Sequence, residues 1–231
     1  MRVVLCLAAV AFLISCGSGS SPTAPTADPS STAPPGPTFT VFGVVTAGGA
    51  PVAGARVAVL EQRYYSAATT DADGRYAVMT SPLQPWGLSP LVAVSKPGYF
   101  ADIRFTDANY LPIAKDTPLD FALEPLTYIT FGETVRGRVG GSTCSHWGYG
   151  TGSCTRMAVA VPPSGMLEVT VSAVASDFDI DVVGPDGTFV AYNPNPRGSP
   201  LLRVPVTAGS TYQIRLAGGA PREFELTTAL R

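Results

Sequence analysis

The chain has 231 residues, a formal net charge of −2 and only 14% charged side chains, against about 25% in ordinary soluble domains. Lysine is represented only by Lys96 and Lys115, so there is no basic stripe to neutralise phosphates, and nucleic acid is excluded as an expected partner. The 24 glycines and 22 prolines suit many short strands joined by tight turns rather than helices.

The N-terminus opens with Arg2 and an apolar run over residues 3–14. That run suits the hydrophobic core of a signal peptide and falls short of the ~20 residues that span a bilayer. It ends in Leu13-Ile14-Ser15-Cys16, which resembles the cleavage site of bacterial lipoproteins. The resemblance implies that residues 1–15 are removed by signal peptidase II, and that Cys16 receives a diacylglyceryl group on its thiol and a third acyl chain on its freed amine. Several chains on one residue hold essentially permanently, at roughly 0.8 kcal/mol per buried methylene. By the same analogy Gly17, rather than Asp, after the lipidated cysteine favours the outer membrane of a two-membrane envelope. Residues 17–38 carry no aromatic side chain and almost no charge, so they cannot bury enough surface to order themselves. They are expected to act as a partly extended tether of up to ~3.1 Å per residue.

From 39 to 126 the apolar residues alternate between turn signals. Val41, Gly43 and Val45 share one face, Gly48-Gly49-Ala50-Pro51 turns the chain, and Val57 and Val59 share the next face. Thr70-Asp71-Ala72-Asp73-Gly74-Arg75-Tyr76 reads as a tight turn into a strand with Tyr76 and Val78 inward. Val92 and Val94, the turn Lys96-Pro97-Gly98-Tyr99 and a closing strand near Leu119 to Leu123 follow. The series Val41-x-Gly43-x-Val45, Pro51 to Val57, Thr70 to Tyr76 and Lys96 to Tyr99 resembles the carboxypeptidase regulatory-like family. That resemblance implies a transthyretin-like β-sandwich without catalytic function.

Residues 127–231 repeat the alternation, with Val169 and Val171, Ile180 and Val182, Tyr212, Ile214 and Leu216, then Phe224 and Leu226. A second sandwich or jelly roll is expected. The stretches Asp177 to Gly187 and Val206 to Ile214 resemble the bacterial pre-peptidase C-terminal domain, whose members often follow secreted peptidases; no peptidase is present in this chain. The fold class expected is therefore all-β, two sandwiches after a disordered tether. Leu126 joins them with almost no linker, which favours a fixed relative orientation.

Of the cysteines, the lipoprotein resemblance implies that Cys6 leaves with the leader and that Cys16 is acylated. Cys144 and Cys154 are expected to pair, as suits an oxidising compartment. A metal pair assisted by His146 is the weaker reading, because zinc wants four ligands. His146 is the sole histidine, and neither H-E-x-x-H nor G-x-S-x-G occurs, so a non-enzymatic protein is expected. Asp71 and Asp73 read as a hairpin turn rather than a calcium loop, since Arg75 would repel the ion. Asp177, Asp179 and Asp181 fall on one strand face by period two. A calcium ion would relieve their repulsion, whereas the simpler reading is a solvated face with a nearby arginine; no other cofactor is implied. Trp86, Trp147 and Tyr149 lie on expected loops and are the candidates for stacking on sugar rings. The function expected is binding or structural at the cell surface, with membrane contact through the lipid and a surface polysaccharide or protein as partner. The alternatives are a carbohydrate-binding accessory module and, behind it, a hydrolase of unfamiliar design.

Overall fold

A computed structural model describes residues 39–60, 65–80, 91–105, 115–140, 142–146, 150–172, 178–193, 201–218 and 222–231. All of them belong to the compact unit Ala33–Arg231. The described elements are strands, as the glycine- and proline-punctuated alternation requires.

The first strand, β1 (Phe39–Ala47), buries Val41 and Val45 completely and turns Phe42 outward. Gly48 and Gly49, at φ 56° and 83°, make the two-residue turn into β2 (Ala50–Pro51), because two consecutive positive φ values match the twist of a hairpin. Next come β3 (Arg56–Leu60), β4 (Tyr65–Thr69) and β5 (Arg75–Thr80). The turn before β5 is held by Asp71, whose Oδ1 accepts the N–H groups of Asp73 and Arg75 at 2.9 and 2.8 Å. Gly74 there sits at φ 72°. The Asp71 carboxylate therefore serves the turn, as the pattern predicts. The first half closes with β6 (Leu91–Ser95), β7 (Asp102–Phe105), β8 (Thr117–Pro118) and β9 (Phe121–Ala122).

Two sheets result. In the first, β1 pairs antiparallel with β5 and parallel with β8 and β9; the second runs β4-β3-β6-β7. Their facing sides meet in one core that includes Val41, Val57, Val92, Tyr76 and Phe121. The Tyr76 hydroxyl donates to the Leu119 carbonyl at 2.5 Å. Burial, and secondarily Asp120, pushes that phenol well above its ordinary pKa.

The second half contributes β10 (Tyr128–Ile129), β11 (Thr134–Arg138), β12 (Ser142–His146), β13 (Gly150–Ala160) and β14 (Gly165–Ser172). It ends with β15 (Phe178–Val183), β16 (Phe189–Asn193), β17 (Leu201–Val206), β18 (Thr211–Gly218) and β19 (Glu223–Leu230). The third sheet runs β10-β13-β18-β15-β16, with β12 beside β13, and the fourth runs β11-β19-β14-β17. Between them lies a separate core that includes Val169, Val171, Ile180, Val182, Ile214 and Leu226. The residues the alternation places inward are the ones buried there.

The two sandwiches are also packed on each other. Ala93, Ala101 and Ile103 from the outer side of the second sheet form a small cluster with Val183 of the third, flanked by Leu91 and Phe189. The outer sides of the second and third sheets thus bury one another, and the outer sides of the first and fourth sheets face solvent.

Candidate functional site

The seam between the sandwiches carries the most unusual side chains. On the outer side of the third sheet, Arg156 of β13 lies opposite Arg215 of β18, which lies opposite Asp181 of β15. Two adjacent guanidinium groups repel unless each is compensated. Arg215 binds Asp181 at 2.5 Å with the two side chains 2% and 1% exposed, and its guanidinium rests 4.9 Å from the centre of the Phe189 ring. Arg156 reaches across the seam to Glu124 at 2.8 Å and stacks 5.3 Å from the Phe100 ring. Arginine suits such a place because its planar, weakly hydrated cation can pair and stack at once.

Backbone groups of the seam are satisfied in the same way. The Gln213 Oε1 accepts the N–H of Ala101 at 2.7 Å, and its Nε2 donates to the Tyr99 carbonyl at 3.3 Å. Ser95 Oγ donates to the Asp186 carbonyl at 3.1 Å. Beside it Gly187, at φ 82°, comes so close that a Cβ there would stand 2.3 Å from the Cβ of Ser95. For the Asp186 carboxyl, desolvation raises the pKa, but hydrogen bonds from the hydroxyl and N–H of Thr188 outweigh it and hold the group below its ordinary value. Gln213→Leu is expected to cost about 1–3 kcal/mol, since it strands the buried Ala101 N–H without an acceptor; the midpoint of urea unfolding measures it.

A surface cleft of about 720 Å³ lies on the fourth sheet, lined by Arg136, Gly137, Arg138, Ser172, Phe224 and neighbouring glutamates. Phe224 covers Gly137, where a Cβ would meet the ring at 2.8 Å. Arg136 is paired with Glu225 at 2.8 Å. Further along the same face Arg203 binds Glu168 at 3.0 Å, and the hydroxyls of Thr134 and Thr227 share a 3.1 Å bond. These polar groups satisfy one another, and Met166 and Leu201 stand exposed on the same face.

The residues singled out from the sequence fall differently. Cys16, Trp86, Trp147, Tyr149 and Asp177 lie outside the described residues. Asp179 and Asp181 share a face of β15, as period two dictates, but Asp181 is buried instead of solvated. Its environment is the docked sandwich and the Arg215 guanidinium: the arginine of the simpler reading is there, but the face it shares with Asp181 is covered by protein. Among the described residues, no three histidine, cysteine or acidic side chains are grouped to hold a metal. Cys154 is fully buried. In the hairpin register it pairs with Ser142, while Cys144 pairs with Gly152.

No known protein family and no curated protein matches this chain. Solved structures with similar coordinates include the pre-peptidase C-terminal domain of a Bacillus anthracis collagenase, at 12% identity and TM-score 0.36, over 46% of this chain and 96% of that one. A periplasmic inhibitor of g-type lysozyme from Aeromonas hydrophila gives 11% and 0.34, over 46% and 97%. The C-terminal CBM6 of a marine laminarinase from Zobellia galactanivorans gives 14% and 0.26, over 41% and 99%. Scores this low carry no argument about ligand or activity.

Sequence reasoning misses Arg156, Arg215 and Gln213. Each alternates with inward apolar residues, Met157 and Val159 or Tyr212, Ile214 and Leu216, and so reads as an ordinary wet position. One signal was present: the matching outward positions of the second sheet are Ala58 and Ala93, small and apolar where a solvated face carries charge.

Proposed function

We propose that this chain is a non-catalytic lipoprotein of the bacterial envelope, displaying a two-sandwich body that binds a surface polysaccharide or protein. The observation that carries the reading is the order of its parts. A lipoprotein-like cleavage site at Cys16 is followed by 22 small and polar residues, 17–38, and then by a folded body that begins at β1. A covalent lipid, a spacer and a folded body together make a device for presentation at a surface. The non-catalytic part of the reading rests on the sequence, in which neither H-E-x-x-H nor G-x-S-x-G occurs. Outer-membrane placement rests on Gly17 after the acylated cysteine.

The test is labelling of growing cells with a palmitate analogue. The chain is expected to carry label, and Cys16→Ala to lose it and keep its leader; equal labelling of the two would refute the reading. For the partner, the acylated protein is compared with Trp147→Ala on a glycan array and against extracts of surface polymers. Binding that Trp147→Ala abolishes selects carbohydrate.

The Cys144 and Cys154 disulfide belongs to the same proposal, supported by the hairpin register and the burial of Cys154. Closing so short a loop stabilises by somewhat less than about 3 kcal/mol. Peptide mapping without reductant is expected to recover the two cysteines in one linked pair.

A further inference from the structure

The two solvent-facing sheets differ in character. On the fourth sheet the outward residues are mostly threonines and paired arginines and glutamates, as in Arg136 with Glu225 and Arg203 with Glu168, and its exposed apolar side chains, Met166 and Leu201 at 38% and 39%, stand apart, opposite Pro205 and Thr170. On the first sheet the outward residues are Phe42 and Val44 of β1, Ala77 and Met79 of β5, and Pro118 of β8, with Thr40 and Arg75 at the ends. Phe42 is 40% exposed and Met79 65% exposed. Contiguous apolar side chains of this kind mark a surface that meets something less polar than water.

The position of the patch indicates what that is. The patch is built on β1, the strand into which the tether runs, and Met79 is the cross-strand partner of Thr40, the second residue of that strand. If Cys16 is acylated, residues 17–38 hold Phe39 within about 70 Å of the lipid even when drawn out at ~3.1 Å per residue. The bilayer is then present at high effective concentration, so a patch too small to bind membrane on its own suffices once it is covalently held nearby. Arg75 at the rim of the patch suits anionic headgroups. Asp116 and Asp120, the acidic groups beside it, accept the backbone N–H groups of Thr40 and Val44 at 2.8 Å.

We propose that the outer face of the first sheet, through Phe42 and Met79, rests on the surface of the lipid bilayer and turns the polar fourth sheet away from the membrane. The proposal rests on the lipid-anchor reading above. Interfacial contact orients the body, whereas the tether alone would leave every orientation open.

The experiment uses the full acylated chain in vesicles of phosphatidylethanolamine and phosphatidylglycerol, with Met79→Trp as reporter and Thr134→Trp, on the exposed face of the fourth sheet, as its counterpart. Trp86 and Trp147 give both variants the same background. With brominated acyl chains in the vesicles, Met79→Trp is expected to be quenched several-fold more than Thr134→Trp and to emit further to the blue. Equal quenching overturns the proposal. Emission that shifts with protein density but ignores bromine assigns the face to a second copy and also overturns it. If mass spectrometry finds no acyl chain on Cys16, the anchor reading fails by itself; the same chain is then attached to the vesicles through its N-terminus by a synthetic lipid, and the same comparison of Met79→Trp with Thr134→Trp decides the face.

Discussion

Arg215→Met is expected to destabilise the protein by about 3–5 kcal/mol, because it removes the cation that neutralises a carboxylate buried to 1% exposure. Methionine fills much of the same volume and keeps a contact with the Phe189 ring, so the loss reports the charge rather than a cavity. The partner variant makes the argument testable. Arg215→Met combined with Asp181→Leu removes both charges and is expected to recover most of the loss, since exchanging a buried pair for apolar side chains is often neutral or stabilising. Urea unfolding of the single and double variants gives the comparison; a double variant as unstable as the single one would show that packing at the seam, and not the ion pair, sets the cost.

Gly43→Val is expected to be at least as damaging, at more than about 4 kcal/mol. Gly43 points into the first sandwich where the chain between β8 and β9 crosses β1. A Cβ there would stand 2.2 Å from the Leu119 carbonyl oxygen and 2.8 Å from an Asp120 carboxylate oxygen. The first obstacle is backbone, which cannot rotate away as a side chain can, so β8 and β9 must leave β1 or the strand must shift. Phe42→Val, one residue earlier and outward, is expected to cost far less. Amide exchange distinguishes the two: Gly43→Val should release β1, β8 and β9 while the separate core around Val169 and Ile214 keeps its protection.

Much of the architecture is legible without coordinates. The alternation of Val41 and Val45, Tyr76 and Val78, and Ile180 and Val182 identifies the buried face of each strand, because successive side chains leave a strand on opposite sides. Asp71 and Gly74 announce their turn for an equally local reason, since the carboxylate and the positive φ act within four residues. The role of Gly43 is invisible by the same standard, because the group that demands glycine there arrives from Leu119.

The candidate site divides along the same line. The proposed leader, acylation of Cys16 and tether rest on sequence alone, since a processing signal and a spacer composition need no fold to be recognised. Asp181 and Arg215 cannot, because period two says only that they point away from their own core. Whether that outward side meets water or protein depends on a second sandwich coming from residues 39–126 and placing Ala93, Ala101 and Ile103 against it. Local pattern determined the strands and their inward faces. Only tertiary packing decided which outward faces became interior, because burial of a charge is a property of what lies opposite it and not of the strand that carries it.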